Sequence, residues 1–204
     1  MNPMKNYRHT VFVLSLGIML FAAVSCAESK GNSDAAETAD PGVTVSGGNF
    51  AGDFRKLGMM VFDPPQKIPS FAVTTLEGDT VTLEDFRGRY LFLNFWATWC
   101  PPCQAEMPSM ERLSARLRDS DFEILAVSVG ENAAAVGSFL EKNPYTFPIA
   151  LNQDGSLGAV YASRGIPTTY IIDRDGNVIA GKIGARSWDD PECIALFEAL
   201  LETP

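Results

Sequence analysis

The sequence predicts an α/β fold with a mixed central sheet and flanking helices, and three observations carry that prediction. Two almost continuous apolar runs, Tyr90–Trp96 (YLFLNFW) and Phe122–Val129 (FEILAVSV), read as strands covered on both faces. Stretches rich in helix formers alternate with the strands, the order expected of an α/β sandwich. Near the C-terminus, Arg174-Asp175-Gly176 stands between two extended runs and signals a hairpin, which adds an antiparallel pair to the sheet.

From the N-terminus, residues 1–25 read as a secretory signal, in which Lys5 and Arg8 precede an apolar run over 11–24. That run is shorter than the roughly 20 residues a bilayer-spanning helix needs. It ends in Ala23-Val24-Ser25-Cys26, which resembles the lipobox of bacterial lipoproteins, with Ala23 where such boxes usually carry Leu. The resemblance implies that Cys26 is lipidated and becomes the new N-terminus. Residues 26–49 are small and polar with almost nothing to bury, and read as a flexible tether. The expected protein therefore has a signal at 1–25, a lipid-anchored tether at 26–49 and a folded domain at 50–204, held in a bacterial cell envelope and facing the periplasm or exterior.

Within that domain, Phe50, Phe54, Leu57 and Val61 recur at helical spacing and predict a short helix over 50–62, stopped by Asp63-Pro64-Pro65. Extended runs at 71–75 and 80–83 flank Leu76-Glu77-Gly78-Asp79 and predict an N-terminal hairpin. The buried strand Tyr90–Trp96 leads through Cys100-Pro101-Pro102-Cys103 into a helix over 104–118. The second buried strand, Phe122–Val129, is followed by a helix at 132–142, a short strand at 147–151 and a helix at 155–162. Strands at 168–173 and 177–183 form the C-terminal hairpin, and a helix at 190–202 closes the chain.

Charge and composition exclude several classes of function. With 16 Lys and Arg against 25 Asp and Glu, the net charge of -9 offers no attraction to phosphate backbones, so no nucleic acid partner is expected. The sole histidine, His9, lies in the leader. The exported chain thus has no imidazole, which removes serine-histidine and cysteine-histidine hydrolases and the common zinc enzymes.

A cysteine pair at the start of a helix has a physical rationale, because the free amides and dipole of a helix N-terminus favour a thiolate. Cys100 is expected to be the more exposed nucleophile, and Cys103, one turn inward, the thiol that resolves a mixed disulfide. Pro101 and Pro102 suit the first turn, where a missing amide hydrogen costs nothing. By itself such a pair also fits half a zinc site or a static disulfide. Zinc would need two further ligands, the exported chain has no histidine, and Cys193 is its only other cysteine besides the pair and Cys26.

The stretch Asn94-Phe95-Trp96-Ala97-Thr98-Trp99-Cys100-Pro101-Pro102-Cys103, with Glu106-Met107-Pro108 after it and Gly165-Ile166-Pro167-Thr168-Thr169 further on, resembles the exported, membrane-tethered thiol-disulfide oxidoreductases of the TlpA/ResA type, a branch of the thioredoxin-like proteins. The resemblance covers roughly 69–202 and includes the N-terminal hairpin and a helix-strand insertion at 132–151. It implies a thioredoxin-like fold, a redox-active Cys100–Cys103 disulfide, and no metal or other cofactor. It also implies a cis proline at Pro167, so that the backbone of Ile166 faces a substrate strand, and a proton-transfer role for Glu106 beneath the cysteines. Thioredoxin itself uses a buried aspartate where this chain has Asn94, which leaves Glu106 as the acid of the motif. Trp99, Pro101, Pro102, Ile166 and Pro167 become the expected substrate-contacting residues. Trp96 reads as core, and Cys193 as a buried small hydrophobe.

The implied partners are thiols or disulfides of exported proteins, among them apocytochrome c, together with a membrane electron donor. Two other readings compete. A thiol peroxidase of related fold needs Pro-xxx-Thr-xx-Cys, but Leu93 and Ala97 occupy those positions before Cys100. A lipoprotein binding module with a structural disulfide would have no need of Cys100, Cys103, Glu106 and Pro167 together.

Overall fold

The computed structural model describes residues 50–203. The signal, Cys26 and the tether read at 1–49 lie outside the described residues. The element order is α1 (Phe50–Lys56), β1 (Met60–Lys67), β2 (Ala72–Thr75), β3 (Thr80–Thr82), a 3-10 turn (Leu83–Phe86), β4 (Tyr90–Trp96), α2 (Pro101–Leu117), β5 (Phe122–Val129), α3 (Ala133–Leu140), β6 (Ile149–Asn152), α4 (Ser156–Tyr161), β7 (Thr168–Ile172), β8 (Asn177–Ile183) and α5 (Pro191–Glu202).

The eight strands form one sheet in the order β1-β8-β7-β4-β5-β6-β2-β3. Strands β4, β5 and β6 run parallel and β7 runs antiparallel to β4; the β7-β8 hairpin with β1 on its outer edge, and the β2-β3 hairpin at the other end, complete a mixed sheet. Strand β4 lies in the interior of the sheet, and every residue from Leu91 to Trp96 is buried, as its continuous apolar sequence requires.

Alternation along β4 sorts its side chains between two cores. Leu91, Leu93 and Phe95 join Phe71, Leu83, Phe86 and Tyr161 on one face. Phe92 and Trp96 join α2, α5, Phe54 of α1 and Trp188 on the other. Asn94 shares the second face by period and is fully buried there, opposite α2.

The segment 50–62 differs from the expected helix. Helix α1 ends at Lys56, Gly58 takes a left-handed conformation (φ 68°) that turns the chain, and β1 then runs through the prolines. This is possible because β1 is an edge strand whose register with β8 jumps between Val61 and Gln66. Pro64 and Pro65 fall in that irregularity, where no ladder hydrogen bond is lost.

Candidate active site

Strand β4 delivers the chain through Ala97-Thr98-Trp99 to Cys100, which is the N-cap of α2. The helix starts at Pro101, three residues earlier than the sequence reading placed it, because the two prolines occupy its first turn. Cys100 and Cys103 are joined by a disulfide, with Cα atoms 5.3 Å apart. The Cys103 amide donates to Cys100 Sγ at 3.3 Å. Cys100 keeps 4% of its surface exposed and Cys103 none. The Ile166 carbonyl oxygen lies 3.8 Å from Cys100 Sγ, next to a cis Ile166–Pro167 bond. Trp99 is 66% exposed, Pro101 and Pro102 are exposed and Ile166 is half-buried, whereas Pro167 is buried. Trp96 is core, with its ring 5.4 Å from that of Phe139.

The loop before Cys100 is held by groups the sequence reading did not select. The buried Glu131 carboxylate, just beyond β5, accepts the Thr98 amide at 2.8 Å, the Thr98 hydroxyl, and the Ser128 hydroxyl at 2.7 Å. From the helix side, the Gln104 amide donates to the Thr98 carbonyl. These bonds tie both polar ends of Thr98 to fixed elements, two residues ahead of the reactive sulfur.

Glu106 stands one turn beyond Cys103 and is 2% exposed. Its carboxyl meets three donors: Asn94 Nδ2 reaches Oε1 at 2.9 Å, while Trp188 Nε1 at 3.1 Å and the Arg186 amide at 3.3 Å reach Oε2. Burial disfavours its charge and outweighs those donors, so the carboxyl is pushed from 4.5 up to about 7. Asn94 also donates to the Thr169 hydroxyl at 2.9 Å on β7. This carboxyl can hold or release a proton near neutral pH, a turn away from the inner sulfur.

The residues singled out in the sequence thus fall together at one end of the sheet: Cys100, Cys103, Glu106, Trp99, Pro101, Pro102, Ile166 and Pro167. Cys193 does not join them as a second redox partner; it is the free cysteine among the described residues, fully buried in α5, with burial pushing its thiol up to about 12. No cluster of metal-ligating side chains occurs among the described residues. Trp188, Arg186, Glu131 and Ser109 were missed. They lie in loops or on a helix face, where spacing carries no signal of a distant partner.

A mixed sheet that presents a Cys-Pro-Pro-Cys disulfide at a helix N-terminus, opposite a cis proline, defines the class of thioredoxin-like thiol-disulfide oxidoreductases. Comparison with known proteins narrows this: the chain belongs to the AhpC/TSA family, matched over residues 64–180, and is a ResA-like member of the thioredoxin superfamily. It is similar to thiol-disulfide oxidoreductase ResA of Bacillus thuringiensis subsp. konkukian, 40% identical over 114 residues, which cover 56% of this chain and 66% of that one, just under two thirds. ResA of Bacillus cereus is 36% identical over 127 residues, covering 62% and 73% of the two chains. Among solved structures, a thiol:disulfide interchange protein DsbE from Chlorobium tepidum matches with a TM-score of 0.62 at 31% identity, covering 67% of this chain and 96% of that one. These named relatives are all thiol-disulfide exchange proteins.

Proposed function

We propose that this chain is a membrane-tethered thiol-disulfide oxidoreductase that reduces disulfides of exported proteins. The observation that supports it most strongly is the Cys100–Cys103 disulfide at the start of α2, with Ile166 before it and a protonatable Glu106 behind it. In the reduced protein, the Cys100 thiolate accepts the Cys103 amide and attacks one sulfur of a client disulfide. A mixed disulfide forms, and the other client sulfur leaves as a thiolate. The Cys103 thiol passes its proton toward Glu106, and its thiolate attacks the Cys100 sulfur. That step closes the Cys100–Cys103 bond and expels the second client thiolate. The client gains two electrons, the pair loses two, and a membrane donor restores the dithiol.

Trp99, Pro101, Pro102, Ile166 and Pro167 form the client-facing surface in this reading, and Cys26 carries the lipid that holds the domain at the bacterial envelope. Apocytochrome c is a fitting client, since the sulfurs of such a chain must be free thiols before haem attachment. A peroxidase reading has no support in the residues before Cys100, where Leu93 and Ala97 supply neither a proline ring nor a hydroxyl.

Equilibrium titration against a redox buffer, followed by tryptophan fluorescence, tests the direction of flow. The proposal expects a reversible two-electron couple near or below about -220 mV, as in thioredoxin-like reductants; a value near about -120 mV would make the chain an oxidant instead. Mass spectrometry of the mature N-terminus should find an acyl group on Cys26.

A further inference from the structure

Trp188 is anchored more tightly than a core aromatic requires. Its indole packs nearly perpendicular to the Phe92 ring, with ring centroids 4.6 Å apart, and the Arg186 guanidinium lies over the indole, 5.3 Å from its centroid. Its backbone amide donates to the Ser109 hydroxyl at 3.0 Å, and that hydroxyl donates to the Glu106 carbonyl at 2.6 Å. Its indole N–H then donates to the Glu106 carboxyl oxygen at 3.1 Å. Arg186 is fixed in turn by the Leu57 carbonyl at 2.9 Å and by Asp190, the N-cap of α5 at 2.5 Å. The segment between β8 and α5 therefore reaches Glu106 through one side chain and one amide.

We propose that Trp188 is a positioning residue of the active site, whose indole N–H holds the Glu106 carboxyl in the orientation from which it exchanges a proton with the cysteine pair. The proposal rests on the proton-transfer role of Glu106. Asn94 fixes one carboxyl oxygen from β4 and Trp188 fixes the other from the opposite side, so the plane of the group is set. The ionisable groups on the surrounding elements are Cys103 and Arg112 of α2, Arg186, Asp189 and Asp190 of the loop, and Cys193 of α5. Arg112 is paired with Asp189, and Arg186 with Asp190. The Cys193 thiol stays neutral near physiological pH. Burial thus sets the direction in which the carboxyl is pushed, and hydrogen-bond donors rather than a neighbouring charge oppose it, the indole N–H first among them.

The test is the pH profile of oxidation of the reduced full chain by a small disulfide, for wild type, Glu106→Gln, Trp188→Phe and the double variant. Trp188→Phe keeps an aromatic side chain at this buried position and removes the N–H together with part of the indole volume, so its stability is measured alongside the profile. The expected result has three parts. Glu106→Gln abolishes one inflection, and Trp188→Phe moves that inflection upward by roughly one pH unit, the size of one lost charge-assisted hydrogen bond. The double variant repeats Glu106→Gln. A merely structural tryptophan would lower stability and leave the inflection in place, and that result overturns the proposal. If Glu106→Gln leaves the profile unchanged, the role of Glu106 itself falls, and this proposal falls with it. Should Trp188→Phe fail to fold, Ser109→Ala, which releases the Trp188 backbone, must move the inflection in the same direction, and an unmoved inflection refutes the proposal.

Discussion

Glu106 sits in α2 at the phase of the buried stripe formed by Cys103, Met107, Met110, Leu113 and Leu117. A carboxyl at that position is carried out of water by the helix itself, and its donors offset only part of the desolvation. Because its proton is held up to about 7 in the folded chain against 4.5 in the open one, the folded state binds the proton more tightly. Its contribution to stability is full below pH 4.5 and is lost as pH rises through about 7, a change of about 3 kcal/mol for a shift of this size. Urea titrations of the oxidised protein between those limits should show this decline, and Glu106→Gln should flatten it. The helical phase of Glu106 was legible in the sequence, since it lies three residues from Cys103 and four from Met110. Its donors were not, because Asn94, Arg186 and Trp188 come from 12, 80 and 82 residues away.

At the level of elements, the strongly patterned segments matched expectation and the short ones drifted. Strands β4 and β5 were legible to the residue because burial on both faces demands apolar side chains throughout. Strand β1 was not, since an irregular edge strand tolerates prolines that a sequence reader takes as breakers. Helix α4 is only six residues long, and its placement depends on close approach to β5. There Gly158 is buried, its amide donates to Asn152 Oδ1 at 3.0 Å, and a methyl group added at its Cα would overlap the Val129 side chain. Gly158→Ala should therefore destabilise the domain, because an overpacking cost of about 1–3 kcal/mol exceeds the helix propensity gained, about 1 kcal/mol at most. Thermal or urea unfolding measures this, and the rate of thiol exchange by the folded variant should be unchanged, since α4 contributes no side chain to the cysteine pair.

Across the whole molecule, the sheet order brings residues from four separate stretches to one end: the β4–α2 turn, Glu131 after β5, the turn before β7, and the loop between β8 and α5. The cysteine pair, Glu106 and Pro167 were recognisable because each belongs to a short local pattern. Glu131, Arg186 and Trp188 become functional candidates only through the topology, which no spacing in the chain records. Disulfide exchange with exported proteins is tested by capture of clients in envelope extracts with the full chain carrying Cys103→Ser, resolved on non-reducing gels. Mixed disulfides through Cys100 should form, and they should vanish when Cys100→Ser is added. Absence of any adduct, or adducts that persist without Cys100, would contradict that exchange.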